Sequence, residues 1–368
     1  MDKIRMRTNA GSIKLRVTTK DGSPCELWNG GKKIAELQSD NWENIAVQNN
    51  AEEIIIKGYD IQELDCCGSK LTALDISGLT SLKELYCYNN QLTSLAVSGL
   101  TSLQWLDCSD NQLTTLNVNG CTSLQWLYCY NNQLTSLAVS GLTSLQWLDC
   151  SDNQLTTLNV NGCTSLQWLD CEHNQLTALN ASGCTSLQEL YCNNNQLTTL
   201  NVNGCTSLQW LDCYDNRLTA LNVNGCTSLQ WLDCSFNQLT ALDVSGLVNL
   251  EDIDCCENGL TELNVRNCRA LQRLNCSFNR LAALDASGCT SLQKLYCNNN
   301  KLSAEDLKKI FEDFPERKEK CGRVLLYKDG DSNYKDFTQP PELAAAFKAA
   351  KAKGWRLYKI NNDDLMEL

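Results

Sequence analysis

The chain has 368 residues, a formal net charge of −12 and 43% apolar residues. No segment reaches eighteen apolar residues in a row, so no membrane insertion is expected. The excess of acid argues against nucleic acid as a partner, because phosphate binding needs the opposite sign.

Residues 1 to 17 carry charges throughout and lack the apolar core of a secretory leader. The chain as given is therefore expected to be soluble, in the cytoplasm or another reducing compartment, or secreted if a leader once preceded it. Within residues 1 to 60, SIKLRVTT and EEIIIKGYD read as short strands separated by Asp21-Gly22, Gly30-Gly31 and Asn49-Asn50. A β-rich N-terminal cap is the expected result.

From residue 61 the sequence falls into twelve units of 21 residues, beginning at 61, 82, 103 and onward to 292, without an insertion or deletion. One unit, Leu103 to Ser123, reads LQWLDCSDNQLTTLNVNGCTS. Leu103, Leu106, Cys108, Leu113, Leu116, Val118 and Cys121 are apolar and the positions between them mostly polar, so each coil has one inner face. Leu106 and Cys108 alternate with Trp105, Asp107 and Ser109 at the period of two that marks a half-buried strand. Stacking the coils places these strands side by side in a parallel sheet at about 4.8 Å spacing.

The first eleven residues of the unit, LxxLxCxxNxL, resemble the signature of the leucine-rich-repeat family, with cysteine in place of the central leucine. The resemblance covers residues 61 to 302, is closest to bacterial members, and implies a right-handed superhelix whose parallel sheet lines a concave face. The expected fold class is thus a β-rich repeat solenoid. Asn111 and its equivalents from Asn90 to Asn300 fall where each strand ends, and the family uses such residues as an asparagine ladder that satisfies backbone groups. The second half, LTTLNVNG, has no helical periodicity and predicts an extended segment and a turn, with few helices on the convex side.

After Leu302 the composition shifts to helix formers. Ser303 is a candidate N-cap before AEDLKKIFEDF, followed by the strand-like GRVLLYK, a helix in PELAAAFKAAKAK bounded by Pro341 and Gly354, and the strand WRLYKI. A solenoid needs an atypical last unit to cover its final coil, so residues 303 to 368 read as an α/β cap.

Twenty-three cysteines recur mostly at two places in the repeat, which predicts buried free thiols rather than disulfides. Cys67 and Cys256 take outward positions and are the most accessible thiols on this reading. The one histidine, His173, reads as a surface residue beside Glu172. Asp329, Asp331 and Asn333 mimic the start of a calcium loop, but Tyr334 holds the glycine position and Pro340 the place of the final glutamate. No phosphate-cradling glycine motif, zinc spacing or nucleophile–base pattern occurs, so no metal or cofactor is expected and the chain reads as no enzyme.

Function is expected on the outward strand positions. The third position of successive coils holds Trp105, Trp126, Trp147, Trp168, Trp210 and Trp231, and the fifth holds Asp107, Tyr128, Asp149, Asp170, Tyr191, Asp212 and Asp233. Tyr130 and Tyr214 add rings at the seventh. Residues 61 to 300 contain 8 basic and 21 acidic residues, which predicts an acidic, aromatic concave face. Tryptophan and tyrosine anchor interfaces, and interleaved carboxylates select cations. The first reading is a scaffold for a basic protein or peptide whose Lys or Arg groups sit over the indoles. A carbohydrate-binding module on the same face and a structural or self-associating protein are the alternatives.

Overall fold

A computed structural model describes residues 1–47, 53–317, 322–362 and 364–368. It divides into two units, Met1–Leu179 and Asn180–Leu368.

In the first unit the N-terminal strands are sewn onto the first coil. Asp2–Thr8 pairs antiparallel with Ile54–Gly58 and with Leu71–Asp75, and Ser12–Thr19 pairs antiparallel with Trp42–Ala46 and with Ile61–Asp65. Alternation drives this pairing: Ile13, Leu15 and Val17 are buried while their neighbours point outward. Both strands of the first coil are covered, which removes edges that would otherwise pair with another chain. Gly30 and Gly31, both at positive φ, turn the hairpin between Cys25–Asn29 and Lys32–Leu37. The Asn49-Asn50 turn lies outside the described residues.

Beyond Ile61–Asp65 a parallel ladder runs in unbroken register through Glu84–Tyr86, Trp105–Asp107, Trp126–Tyr128, Trp147–Asp149 and Trp168–Asp170. The inward residues of one coil, Leu103, Leu106, Cys108, Leu113, Val118 and Cys121, are completely buried. Each buried leucine contributes about 1.5–3 kcal/mol relative to exposure, so the repeated inner face supplies the driving force. On the other side of the coils short extended pairs form, such as Leu137–Ala138 with Leu158–Asn159, and no helix occurs among the described residues of the repeat.

The strands are short because the coil turns immediately after them. At the eighth position of every coil the backbone is left-handed, from Gly68 and Asn89 through Asp110, Asn131 and Asp152 to His173 in this unit, with φ between 50° and 62°. Asparagine at the ninth position holds that turn. Asn111 Oδ1 accepts from the Leu92 amide at 2.9 Å, while its Nδ2 donates to the Cys87, Cys108 and Ser109 carbonyls at 3.0–3.2 Å. One buried side chain thereby satisfies backbone groups of two coils, which explains why asparagine recurs at this position from Asn90 to Asn300, with Ser69 in its place in the first coil.

The second unit repeats this plan from Glu189–Tyr191 to Lys294–Tyr296. The ladder then continues past the repeat: Gly322–Lys328 pairs parallel with Lys294–Tyr296, Trp355–Asn361 adds the next strand, and Asp364–Glu367 closes the edge antiparallel. Helices Ala304–Asp313 and Pro341–Ala352 fill the connections. Ser303 caps the first with a reciprocal Asp306 interaction, as its sequence predicts. Trp355 is buried and stacks on Phe314 at 3.8 Å, with its Nε1 donating to the Pro315 carbonyl.

The asparagine ladder continues as well. Asn333 Oδ1 accepts from Leu302 N, and its Nδ2 donates to the Cys297 and Leu326 carbonyls. Asp331 beside it accepts from the Asn299 and Lys328 amides. The calcium-like run is therefore one more turn of the solenoid.

The described cysteines are all free. One column, including Cys66, Cys150, Cys192 and Cys276, donates its thiols to carbonyls of the following coil. A second, including Cys121, Cys163 and Cys268, donates to carbonyls of the preceding one. Burial pushes these thiols up, so they stay protonated and act as small apolar residues with a weak donor.

Candidate functional site

The ladder places each expected contact residue by register. In the first unit the third positions line up as Glu63, Glu84, Trp105, Trp126, Trp147 and Trp168, and the fifth positions as Asp65, Tyr86, Asp107, Tyr128, Asp149 and Asp170. All of these tryptophans, and Tyr128 and Tyr130, are half-buried. The indoles lean on one another along the ladder. Trp147 and Trp168 stack at 4.2 Å with an 11° interplanar angle, and Trp105 contacts Trp126 at 5.1 Å and Tyr128 at 5.4 Å.

In the second unit Trp210 and Trp231 stack at 4.1 Å. Tyr191 donates its hydroxyl to Glu189 at 2.8 Å, and the Tyr214 hydroxyl accepts from Asn194. Stacking has a cost, because the Nε1 groups of Trp105, Trp147 and Trp210 are shut off from solvent without an acceptor. Each such donor costs about 1–3 kcal/mol, against about 0.5–1.5 kcal/mol gained per aromatic pair beyond area burial.

The facing sides of Trp147 and Trp168, and of Trp210 and Trp231, are occupied by each other, which narrows where ligand cations would sit over the indoles. Ser109 and Ser151 depart from the sequence reading: they are buried rather than outward. Their hydroxyls donate to Asp107 and Asp149 at 2.6 Å, and their amides donate to the same carboxylates. Asp233 is held in the same way by Ser235, Asp170 accepts from the Glu172 amide, and Asp212 from the Tyr214 amide.

Asp107, Asp149, Asp170 and Asp233 each keep one oxygen outside the turn bond. Burial pushes Asp107, Asp149 and Asp233 up from the ordinary aspartate range. Asp170 reaches about 8, raised by burial and by the neighbouring Asp149, Glu172 and Asp152 charges against the lowering Glu172 amide. Among the described residues no Lys or Arg forms an ion pair with Asp107, Asp149, Asp170 or Asp233. The formal charge of the face is thus held back by its own packing.

Acids nearer the ends are already neutralised. Arg16 pairs closely with Glu63 in the first unit, and in the second Arg273 bridges Asp252 and Asp254 at 2.8 Å each. The second unit departs further from an acidic face. Its outward column runs Glu189, Trp210, Trp231, Asp252, Arg273, Lys294, and the two strands beyond the repeat add Arg323 and Arg356. Arg323 and Arg356 escaped the sequence reading because they lie outside the 21-residue spacing.

Cys67 and Cys256 are the described cysteines that are not fully buried, yet neither is poised to react. Burial raises both thiols, with the Asp65 and Asp254 carboxylates adding to it, although a Tyr88 bond partly lowers Cys67. His173 is exposed in the left-handed turn position. Among the described residues no group of three or more His, Cys, Asp and Glu side chains converges for a metal ion.

Models of leucine-rich repeats match residues 164–204 and 269–309 as paired repeats, and 102–124 and 144–166 as single repeats. No curated protein sequence matches the chain. Among solved structures, YopM from Yersinia enterocolitica is 25% identical with a TM-score of 0.58, over 82% of this chain and 64% of its own. A leucine-rich-repeat protein of Leptospira interrogans is 26% identical with a TM-score of 0.51, over 64% of this chain and 71% of its own. The functional domain of InlJ from Listeria monocytogenes, described as including a cysteine ladder, is 28% identical over 84% of this chain and 76% of its own, at a TM-score of 0.49. Repeat, ladder and matches together make the chain a member of the leucine-rich-repeat family, similar to these bacterial proteins.

Proposed function

We propose that the chain is a non-catalytic scaffold whose first unit binds a basic protein or peptide along Trp105, Trp126, Trp147 and Trp168. Leucine-rich-repeat proteins are generally protein-binding scaffolds. The repeats of FLRT2 are solved in an assembly with latrophilin 3 and Unc5D, and LRIM1 with APL1C. The observation that carries the basic partner is the pair Asp107 and Asp149, in register with aromatic neighbours and, among the described residues, without an ion pair from any Lys or Arg. A Lys or Arg from a partner would take the open carboxylate oxygens while its aliphatic stem packs on the indole edges.

The carbohydrate reading has less support, because sugar rings stack on open aromatic faces and here the indoles cover one another. The second unit offers Trp210, Trp231, Asp212, Asp233, Tyr191 and Tyr214 as a smaller set of the same kind.

A peptide-display selection tests the reading. Wild type is expected to enrich peptides rich in Lys and Arg with interspersed apolar residues, and the Trp105, Trp126, Trp147 and Trp168 alanine variant to bind them about 100-fold more weakly, roughly 2.7 kcal/mol. Asp107→Asn with Asp149→Asn keeps the rings and is expected to lose about ten-fold. Equal binding by all three proteins, or enrichment of acidic peptides, overturns it.

A further inference from the structure

The eighth coil position is left-handed in all twelve units, and most of its occupants suit that conformation: Gly68, and Asn, Asp or His elsewhere. In the second unit three successive coils break the pattern with Phe236 at φ 52°, Glu257 at 52° and Phe278 at 55°. A bulky side chain in this region is an outlier that the local backbone does not favour. The phenyl groups gain nothing obvious from it, since Phe236 is 54% and Phe278 41% exposed. Among the described residues neither ring touches another ring or a cation, and Glu257 has no ion-pair partner.

The row is rigid, because each rung is bonded to the next. Asn216 N donates to the Phe236 carbonyl, Phe236 N to Cys256 O, Asn258 N to the Phe278 carbonyl, and Phe278 N to Asn298 O. Ladder strands lie about 4.8 Å apart, so the two phenylalanines stand roughly 10 Å apart with Glu257 midway. An ammonium paired with the Glu257 carboxylate would stand between the two phenylalanine rungs, on the scale of the roughly 6 Å over which aromatic faces attract cations. Asp215, exposed on the other side of Phe236, adds to the field.

We propose that Phe236, Glu257 and Phe278 form a clamp for an alkylammonium group, supplied by a lysine side chain of a peptide partner. The clamp uses none of the tryptophans and stands whether or not the Trp face binds. Two rings and one carboxylate favour a compact ammonium over a neutral chain of equal length, and the strained backbone is the cost of holding the rings outward.

The test is an NMR titration of the full chain, labelled on phenylalanine rings, with the peptide acetyl-Gly-Lys-Gly-amide and its Gln counterpart. The lysine peptide is expected to shift the Phe236 and Phe278 rings, with the Gln peptide at least five-fold weaker. Glu257→Gln is expected to weaken the lysine peptide several-fold, while the alanine variant of the six tryptophans leaves it unchanged. Phe236→Asn with Phe278→Asn should abolish binding and leave the melting temperature equal or higher, because asparagine suits the turn. Equal shifts from both peptides, or a lower melting temperature in the double variant, overturns the clamp.

Discussion

The two units share one coil and carry opposite solutions for its outward face. In the first, Trp105 to Trp168 alternate with Asp107, Asp149 and Asp170, and among the described residues no Lys or Arg forms an ion pair with those acids. In the second, Trp210 and Trp231 give way to Asp252 and Asp254 locked by Arg273, and then to Lys294, Arg323 and Arg356. The inner residues are nearly the same in both, so the fold is indifferent to this change. Separation of the inner leucine and cysteine columns from the outer ones lets a repeat array alter its surface without cost to its core.

The sharpest way to break that comparison is to attack what the units have in common. Asn153→Ala deletes the acceptor for Leu134 N and the donors to the Cys129, Cys150 and Ser151 carbonyls. Leaving several buried groups unpaired is expected to destabilise the first unit by about 3 kcal/mol or more, read by urea denaturation. Asn279→Ala in the second unit should cost a similar amount, since its bonds are equivalent.

A smaller effect comes from making one unit resemble the other. Arg273→Met frees Asp252 and Asp254 and leaves two half-buried acids side by side. Stability is expected to fall by about 1–2 kcal/mol. Capture of a basic peptide by the second unit should rise several-fold, and an unchanged affinity would separate charge from binding.

The smallest predicted effect is on pH. Asp170 is raised in the folded chain to about 8 against a usual 3.8, so between those values the folded form holds a proton that the unfolded form has lost. Stability contributed by this group is therefore greatest at low pH and falls as pH rises toward 8, levelling off above it. Asp170→Asn is expected to flatten that slope and to melt a few degrees higher than wild type at pH 8. A parallel pH profile in the variant would show that Asp170 is not held protonated.

Much of the architecture was readable from the 21-residue spacing alone. Period-two alternation around Leu106 and Cys108 placed the strands, and the Asn90-to-Asn300 column placed the turns, because both are dictated by local chemistry repeated in register. The ladder's continuation was not readable. Gly322–Lys328 and Trp355–Asn361 are separated from the repeat by helices, and Asn333 stands seven residues beyond Leu326 where the repeat asparagine stands three beyond its cysteine. The candidate face was half readable: register gave the columns, but ring stacking and the buried state of Ser109 depend on neighbouring coils. So does the raised Asp170 carboxyl, which no single coil encodes. The left-handed position could have been inferred from Gly68 and its Asn and Asp equivalents, and that inference would have exposed Phe236 and Phe278 as anomalies.

The central claim is that the first unit's acids are left unpaired for a cationic partner, and the salt dependence of binding to a selected basic peptide tests it most directly. Affinity is expected to fall roughly ten-fold between 50 mM and 500 mM salt, as charges in partial contact with solvent are screened, and the fall should shrink in the Asp107→Asn, Asp149→Asn variant. Affinity that is flat with salt, or equally steep in that variant, would contradict the account.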